Sequence, residues 1–176
     1  MALIARLNIG ETLGDRVMKV DHAGEHGAVC IYAAQRWFAR WRAPEMVDEL
    51  DEFLAHRAQF LAELQRRERP RCRSYFLCAV GGFALGAATG LAGRDAIAAT
   101  TVAIERVVLH HMQEQLQALD GVDKQAADTL RAIIVEEQEH HDRSAARIRE
   151  VGMWPKLIDP VVAFSTEAVI WLGMRL

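Results

Sequence analysis

The histidines of this chain occur in four places, and each place also carries a glutamate within about one helical turn. Each place falls in a segment whose residue pattern favours helix. Side chains three or four positions apart lie on one face of a helix, so a glutamate and a histidine at that spacing project together. The clusters are His22 and His26 around Glu25, His56 after Glu52, His110 and His111 after Glu105, and His140 and His141 after Glu137.

The densest cluster is the segment 135–142, where Glu137 and His140 share a helix face. Taken alone, such a run is more often an acidic, solvated helix face. Taken with the other three, it gives four helices with inward carboxylates, two of which add a histidine. Ferritin-like four-helix bundles that hold two iron or manganese ions have this ligand set. The sequence therefore predicts an all-α, ferritin-like four-helix bundle with additional apolar, membrane-associating helices.

Length and composition indicate one domain in a reducing compartment. A chain of 176 residues with 51% hydrophobic residues can bury one core, so residues 1–176 are predicted to form a single ferritin-like domain. The net charge of -3 argues against a nucleic-acid partner. The three cysteines form no Cys-x-x-Cys motif, and the N-terminus lacks a secretory signal pattern. We expect a cytoplasmic protein.

Capping signals predict where the helices begin. Thr12 and Asp15 resemble a capping box, Pro44 suits a first helical turn, and Asp123 is a suitable N-cap. Asp159 and Pro160 are interpreted as the start of a last, largely apolar helix. The predicted helices cover about 12–40, 44–67, 94–119, 123 to before 152, and 159–174.

Residues 74–93 form a run of twenty residues without a charge, long enough to cross a bilayer. Its five glycines make it less hydrophobic than an ordinary transmembrane helix. Gly82, Gly86 and Gly90 recur every four residues, a spacing that permits close packing on another helix or a flat ligand. We favour a helix on the membrane surface, with the arginines of 66–73 on anionic headgroups. A core helix and a true span stay as alternatives.

The two halves of the chain repeat one ligand pattern, because Glu25 and His56 in the first half correspond to Glu105 and His140 in the second. Such a duplication suits a two-metal site. Glutamates with one histidine per metal favour Fe(II) or Mn(II) over zinc. Two irons can activate O2, and the outcome could be a hydroxylated substrate, a ferric mineral or peroxide disproportionation. The ligands alone do not choose among these outcomes.

Several motifs, in order and with matching spacing over about residues 15–145, resemble the demethoxyubiquinone hydroxylase family. The resemblance implies a ferritin-like di-iron monooxygenase, attached peripherally to a membrane, that hydroxylates a demethoxylated ubiquinone precursor. The motifs are Asp21-His22-Ala23-Gly24-Glu25, Gly82-Phe83-Ala84-Leu85-Gly86, Ala103-Ile104-Glu105 with His110-His111, and Glu137-Gln138-Glu139-His140-His141-Asp142.

The resemblance also implies the site and its partners. Two Fe2+ ions would be bound by Glu25, His56, Glu105, Glu137 and His140. The partners would be the quinone substrate, O2, an electron donor such as NADH, and the cytoplasmic side of the cell membrane. A homo-oligomer or a partner from a biosynthetic complex would also fit.

One position departs from the family pattern. Where the family has a glutamate three residues before the ligand histidine of the second helix, this chain has Phe53. Glu52 is the nearest substitute, offset by about 100° around the helix, and we expect it to serve as the sixth ligand. The alternative is a non-catalytic homologue with an incomplete metal site, which binds quinone or lipid or assists assembly.

Overall fold

The computed structural model describes residues 5–65, 71–148 and 153–175. Within these ranges the regular structure is helical and contains no strand. A short 3-10 helix at Pro44–Met46 precedes α2. The helices are α1 (Leu13–Arg42), α2 (Val47–Gln65), α3 (Tyr75–Ala92), α4 (Arg94–Leu119), α5 (Lys124–Arg147) and α6 (Met153–Arg175).

The helices pack as two groups that meet at the centre of the molecule. Helix α1 lies along α2 and α3, while α4 lies along α5 and α6. Helices α1, α2, α4 and α5 all contribute side chains to one buried polar cluster, and the apolar helices α3 and α6 flank them. The prediction of an all-α, ferritin-like bundle with additional apolar helices is confirmed.

Local capping fixes the starts of α1 and α5 as predicted. The Thr12 hydroxyl accepts a hydrogen bond from the Asp15 amide at 3.1 Å, and the Asp15 carboxylate accepts one from the Thr12 amide at 3.0 Å. The Asp123 carboxylate accepts a hydrogen bond from the Ala126 amide at 3.0 Å. These side chains satisfy amide groups that have no partner inside the helix.

The last helix begins at Met153, six residues before the predicted start, and Pro160 lies inside it. The sequence-based start was wrong because tertiary contacts offset the local cost of the proline. Ile158 and Val162 are buried, and Trp154 packs against the same core cluster. The four-residue spacing of these three side chains places them on one helix face, so the helix is continuous through the proline.

Helix α3 approaches α1 at backbone distance along its glycines, as the spacing predicted. A Cβ atom on Gly82 would lie 2.4 Å from the Gly27 carbonyl oxygen, and one on Gly86 would lie 2.3 Å from the Ile31 carbonyl oxygen. Gly90 is also close to α1, with 2.9 Å from its Cβ position to the Gln35 Cα. The glycines are therefore required by the contact between the two helices.

Replacement of Gly86 by alanine is expected to destabilise the fold by about 1–3 kcal/mol, because the added methyl group forces α1 and α3 apart. Gly81 is the matched control on the same helix, since a Cβ there meets nothing within 4 Å. Gly81→Ala should be neutral or slightly stabilising, because alanine favours helix. Chemical denaturation of the two variants checks this, and equal midpoints would contradict the close contact.

The outer faces of α3 and α6 are apolar and exposed. Phe76 and Phe83 of α3 are 70% and 60% exposed, and Phe164 of α6 is 77% exposed. Both helices are long and apolar enough to cross a membrane by length and composition, with only 33% and 22% of their apolar windows buried. Most of each helix therefore faces outward. Of the basic cluster 66–73, residues 66–70 lie outside the described residues.

Candidate metal centre

Four of the predicted ligands meet in the centre of the bundle. Glu25 comes from α1, Glu105 from α4, and Glu137 and His140 from α5, and each is at most 2% exposed. Donor atoms of Glu105, Glu137 and His140 all lie within 4.8 Å of one another. The Tyr32 hydroxyl donates a hydrogen bond to Glu105 Oε1 at 2.5 Å. The structure thus brings together three acids and one histidine that the helix-face argument had placed on inward faces.

An arginine that the sequence reasoning missed lies among these acids. Arg57 of α2 is 1% exposed, and its Nη1 donates to Glu25 Oε2 at 2.5 Å. Its Nη2 donates to Glu105 Oε1 and to Glu137 Oε2, both at 2.6 Å. A signal was present in the sequence, because Arg57 follows Phe53 by four residues and so shares its inward face.

Phe53 occupies the inward position where the family pattern has a glutamate. It is 1% exposed, and its ring centroid lies 4.3 Å from that of His140 and 5.4 Å from that of Tyr32. An apolar ring therefore packs against the histidine of the cluster. It offers no ligand atom.

Of the two ligands predicted on α2, Glu52 points away from the cluster and His56 lies at its edge. The Glu52 side chain is 44% exposed and forms an ion pair with Arg143 at 2.5 Å. Successive helix residues are about 100° apart, so an inward Phe53 turns Glu52 outward. His56 is half-buried, with Nδ1 3.1 Å from His140 Nε2 and 3.6 Å from Glu136 Oε2.

The remaining histidines also lie away from the acids. The ring of His26 stacks on Tyr75 with centroids 4.1 Å apart, and His22 lies 5.4 Å from the same ring. His110 and His111 lie near Glu114 of their own helix. Histidine position alone therefore overstated the number of ligand candidates.

Burial controls the charge state of the cluster. It raises the pKa of Glu105 to about 8 against the opposing effect of Arg57, and it raises the pKa of Glu25 and of Glu137 as well. Burial and the nearby Arg57 charge lower the pKa of His140 to about 4, so its imidazole is neutral at neutral pH. A neutral imidazole has a lone pair for a metal.

The residues fit one metal ion. Glu105 Oε2, Glu137 Oε1 and His140 Nδ1 are buried and have no hydrogen-bond partner among the described residues. Two carboxylate oxygens and one imidazole nitrogen suit Fe(II) or Mn(II). For a second ion the described residues offer fewer free ligand atoms, because Arg57 already hydrogen-bonds an oxygen of each glutamate and Phe53 supplies no ligand.

A cavity of about 310 Å³ reaches the cluster from the side of α3 and α6. Glu25 and Arg57 form part of its wall, as does Asp21, and most other lining residues are apolar. The Asp21 Oδ1 accepts a hydrogen bond from Gln115 Nε2 at 2.9 Å, while Oδ2 is buried without a partner in the described part of the chain. The cavity therefore combines apolar walls with a polar end.

A helical bundle with a buried group of carboxylates and a histidine has the architecture of ferritin-like proteins. Comparison with known proteins narrows the class. Residues 12–173 match the family model described as "Ubiquinone biosynthesis protein COQ7". The chain belongs to the COQ7 family, as the motifs predicted.

Curated relatives span most of the chain. A human protein named "NADPH-dependent 3-demethoxyubiquinone 3-hydroxylase, mitochondrial" is 33% identical, with 96% of this chain and 81% of the relative aligned. A Rhodospirillum rubrum protein named "3-demethoxyubiquinol 3-hydroxylase" is 35% identical over 92% of this chain and 77% of its own. A Saccharomyces cerevisiae "5-demethoxyubiquinone hydroxylase, mitochondrial" is 30% identical over 92% and 78%.

Proposed function

We propose that this chain hydroxylates the ring of a demethoxyubiquinone-type quinone with O2 in ubiquinone biosynthesis. The observation that carries the proposal is the mostly apolar cavity lined in part by Glu25 and Arg57 of the buried cluster, in a chain that matches the COQ7 family over residues 12–173. Relatives at 33% and 35% identity are named as hydroxylases of this substrate class. A quinone head and the first part of its tail suit a mostly apolar pocket of this size.

The cavity residues would orient the ring. Ile104 and Met112 of α4 and Leu85 of α3 offer apolar walls. Asp21 Oδ2 would accept a hydrogen bond from a hydroxyl of the reduced ring, since this buried oxygen has no partner in the described chain and Gln115 holds the other oxygen. The ring would then lie between Asp21 and the acid cluster.

The reaction needs a reductant as well as O2. One oxygen atom is inserted into a ring C–H bond to give a hydroxyl group, and the other leaves as water after two electrons and two protons are supplied. A nicotinamide nucleotide such as NADH is the proposed electron donor, in line with the NADPH named for the human relative. The proposed metal is iron, which supplies O2 activation when bound. Glu105, Glu137 and His140 would hold it, and the apolar cavity wall would exclude water.

The outward faces of α3 and α6 fit a membrane surface. The cavity is lined by residues of both helices, including Leu77 of α3 and Val169 of α6, so an isoprenoid tail would leave between them into lipid. Arg71, which lies over the Tyr75 ring at 4.6 Å, would face anionic headgroups. We place the protein peripherally on the cytoplasmic side of the cell membrane, and an oligomer or a biosynthetic partner is compatible with this placement.

Vesicle binding should depend on the α3 face. Replacement of both Phe76 and Phe83 by serine is expected to weaken binding to anionic vesicles by tenfold or more, since burial of one phenylalanine contributes about 1.5–3 kcal/mol. Val135→Ser is the matched control, because Val135 is 61% exposed on α5. Sedimentation with vesicles measures both. If the Val135→Ser control lost as much vesicle binding as the α3 variant, docking through α3 would be contradicted.

Complementation tests the hydroxylation directly. A strain that lacks this ring hydroxylation step is supplied with the gene, and its quinones are read by mass spectrometry. We expect the demethoxylated precursor to be converted to the hydroxylated product. Precursor that stays unconverted, with the protein present in the membrane fraction, would overturn the proposal.

A second function is favoured by one observation. The guanidinium of Arg57 bonds three of the expected ligand carboxylates, which suits a non-catalytic homologue that binds quinone or assists assembly. Such a protein would bind the precursor and leave it unchanged. Quinone binding by the purified chain, without conversion in the complemented strain, would select this function.

A further inference from the structure

We propose that Arg57 is a fixed cation in place of a second metal ion, so that this chain holds one divalent metal instead of two. The inference goes beyond the proposed hydroxylation. It is tested by the number of metal ions bound per chain, which is measured without enzymatic turnover.

The contacts of Arg57 resemble those of a bridging cation. Three carboxylates from three helices, Glu25 of α1, Glu105 of α4 and Glu137 of α5, converge on one guanidinium at 2.5 to 2.6 Å. A cation shared by several glutamates is the arrangement that a two-metal bundle uses at its centre. The guanidinium is planar, delocalised and always charged, so it can serve several carboxylates at once in a buried site.

Charge balance points to one further ion. When all three glutamates are ionised, they leave two negative charges against the single arginine in the bundle interior, which is costly unless a further cation or protons compensate them. One divalent metal neutralises them. In the two-metal bundle, four glutamates balance two divalent ions. Phe53 in place of the family's glutamate, together with the cation of Arg57, therefore balances the charge with one divalent ion fewer.

The unpartnered atoms show where the remaining ion fits. Glu105 Oε2, Glu137 Oε1 and His140 Nδ1 are buried, lack hydrogen-bond partners in the described structure, and belong to one compact group. Arg57 uses the other oxygens of the same two glutamates. One metal ion would give all three of these atoms a partner at once.

Phe53 and Arg57 act together on the α2 side. Phe53 fills the inward position with an apolar ring against His140, and Arg57 follows on the same face one turn later. His56, the α2 histidine of the family pattern, has its Nδ1 engaged with His140 Nε2. Helix α2 thus supplies a cation and an apolar wall, whereas α4 and α5 supply the metal ligands.

The experiment counts Mn(II) in the full-length chain purified in detergent. Elemental analysis after saturation and removal of free metal should give about one ion per wild-type chain, and electron paramagnetic resonance should show an isolated Mn(II). Phe53→Glu combined with Arg57→Leu rebuilds the two-metal ligand pattern. That double variant should bind about two ions per chain and give the signal of a coupled pair.

Two control variants separate the effect of Arg57 from that of position 53 and from the loss of any arginine. Phe53→Glu alone keeps the guanidinium and should still bind one ion. Arg143→Leu removes an arginine whose partner Glu52 is exposed, and it should leave the count unchanged. A wild-type count of two, a coupled-pair signal, or a count of zero would each overturn the inference. The wild-type count decides the matter if the double variant does not fold.

The count also separates this inference from the proposed function. One ion per chain without quinone conversion would support the role of Arg57 and reject the hydroxylase. Two ions per chain with conversion would reject the role of Arg57 and support the hydroxylase.

Discussion

Arg57→Leu should destabilise the metal-free protein by about 3–5 kcal/mol, because it leaves three buried carboxylates without their cation. The effect should be far larger than that of a surface ion pair. Arg57 is 1% exposed, and the three glutamates that it bonds are at most 2% exposed. Urea denaturation in the presence of a chelator measures the loss. Part of the lost stability will be recovered at lower pH, where the glutamates take up protons and no longer need a cation.

The matched control is Arg143→Leu, which breaks the ion pair with Glu52 at side chains that are 38% and 44% exposed. An exposed pair of this kind contributes about 0–1 kcal/mol. Saturating Mn(II) should stabilise the Arg57→Leu protein more than the wild type, since the metal then supplies the missing charge. If the two arginine variants had the same unfolding midpoint, Arg57 would not be the cation that stabilises the cluster.

Glu137→Ala and His140→Ala should each lower metal affinity by on the order of 100-fold or more, because even residues that only support a ligand contribute 10–100-fold. Quinone conversion in the complemented strain should fall with it. Both side chains are buried and contribute donor atoms to the compact group with Glu105. Elemental analysis of the purified variants gives the metal content, and circular dichroism checks that the helices are retained.

Glu52→Ala is the control for this pair of variants. Glu52 lies one residue from the inward Phe53 but points outward to Arg143, so its loss should leave metal content and conversion unchanged. If Glu52→Ala instead removed metal as completely as Glu137→Ala, Glu52 would be a ligand in the metal-bound state. The sequence-based ligand set would then be complete.

The position of the cavity relates the proposed chemistry to the membrane. Glu25 and Arg57 line the cavity, and its walls also include residues of α3 and α6, the two helices with exposed apolar faces. If the proposed membrane attachment holds, a substrate with a long apolar tail would place its ring near Glu25 and Arg57 while its tail stays in lipid. The close contact between α1 and α3 at Gly82 and Gly86 fixes this wall, which explains why glycines are needed there.

The sequence by itself determined the helices and most of the buried cluster. Caps such as Thr12 with Asp15 depend on residues three apart, and so does the shared face of Glu137 and His140. The motif resemblance also identified the family that the comparison then confirmed. These features are local or periodic, so no knowledge of the tertiary packing was needed to find them.

The tertiary structure decided how α2 faces the cluster. A helix that turns Phe53 inward must turn Glu52 outward and bring Arg57 to the acids, because rotation by about 100° per residue fixes all three at once. The sequence shows only that one of the two neighbours faces inward. It also could not show that α6 continues through Pro160, because contacts of Ile158 and Val162 with distant helices decide that. Rotation and long-range contact are properties of the packed bundle, and no local signal encodes them.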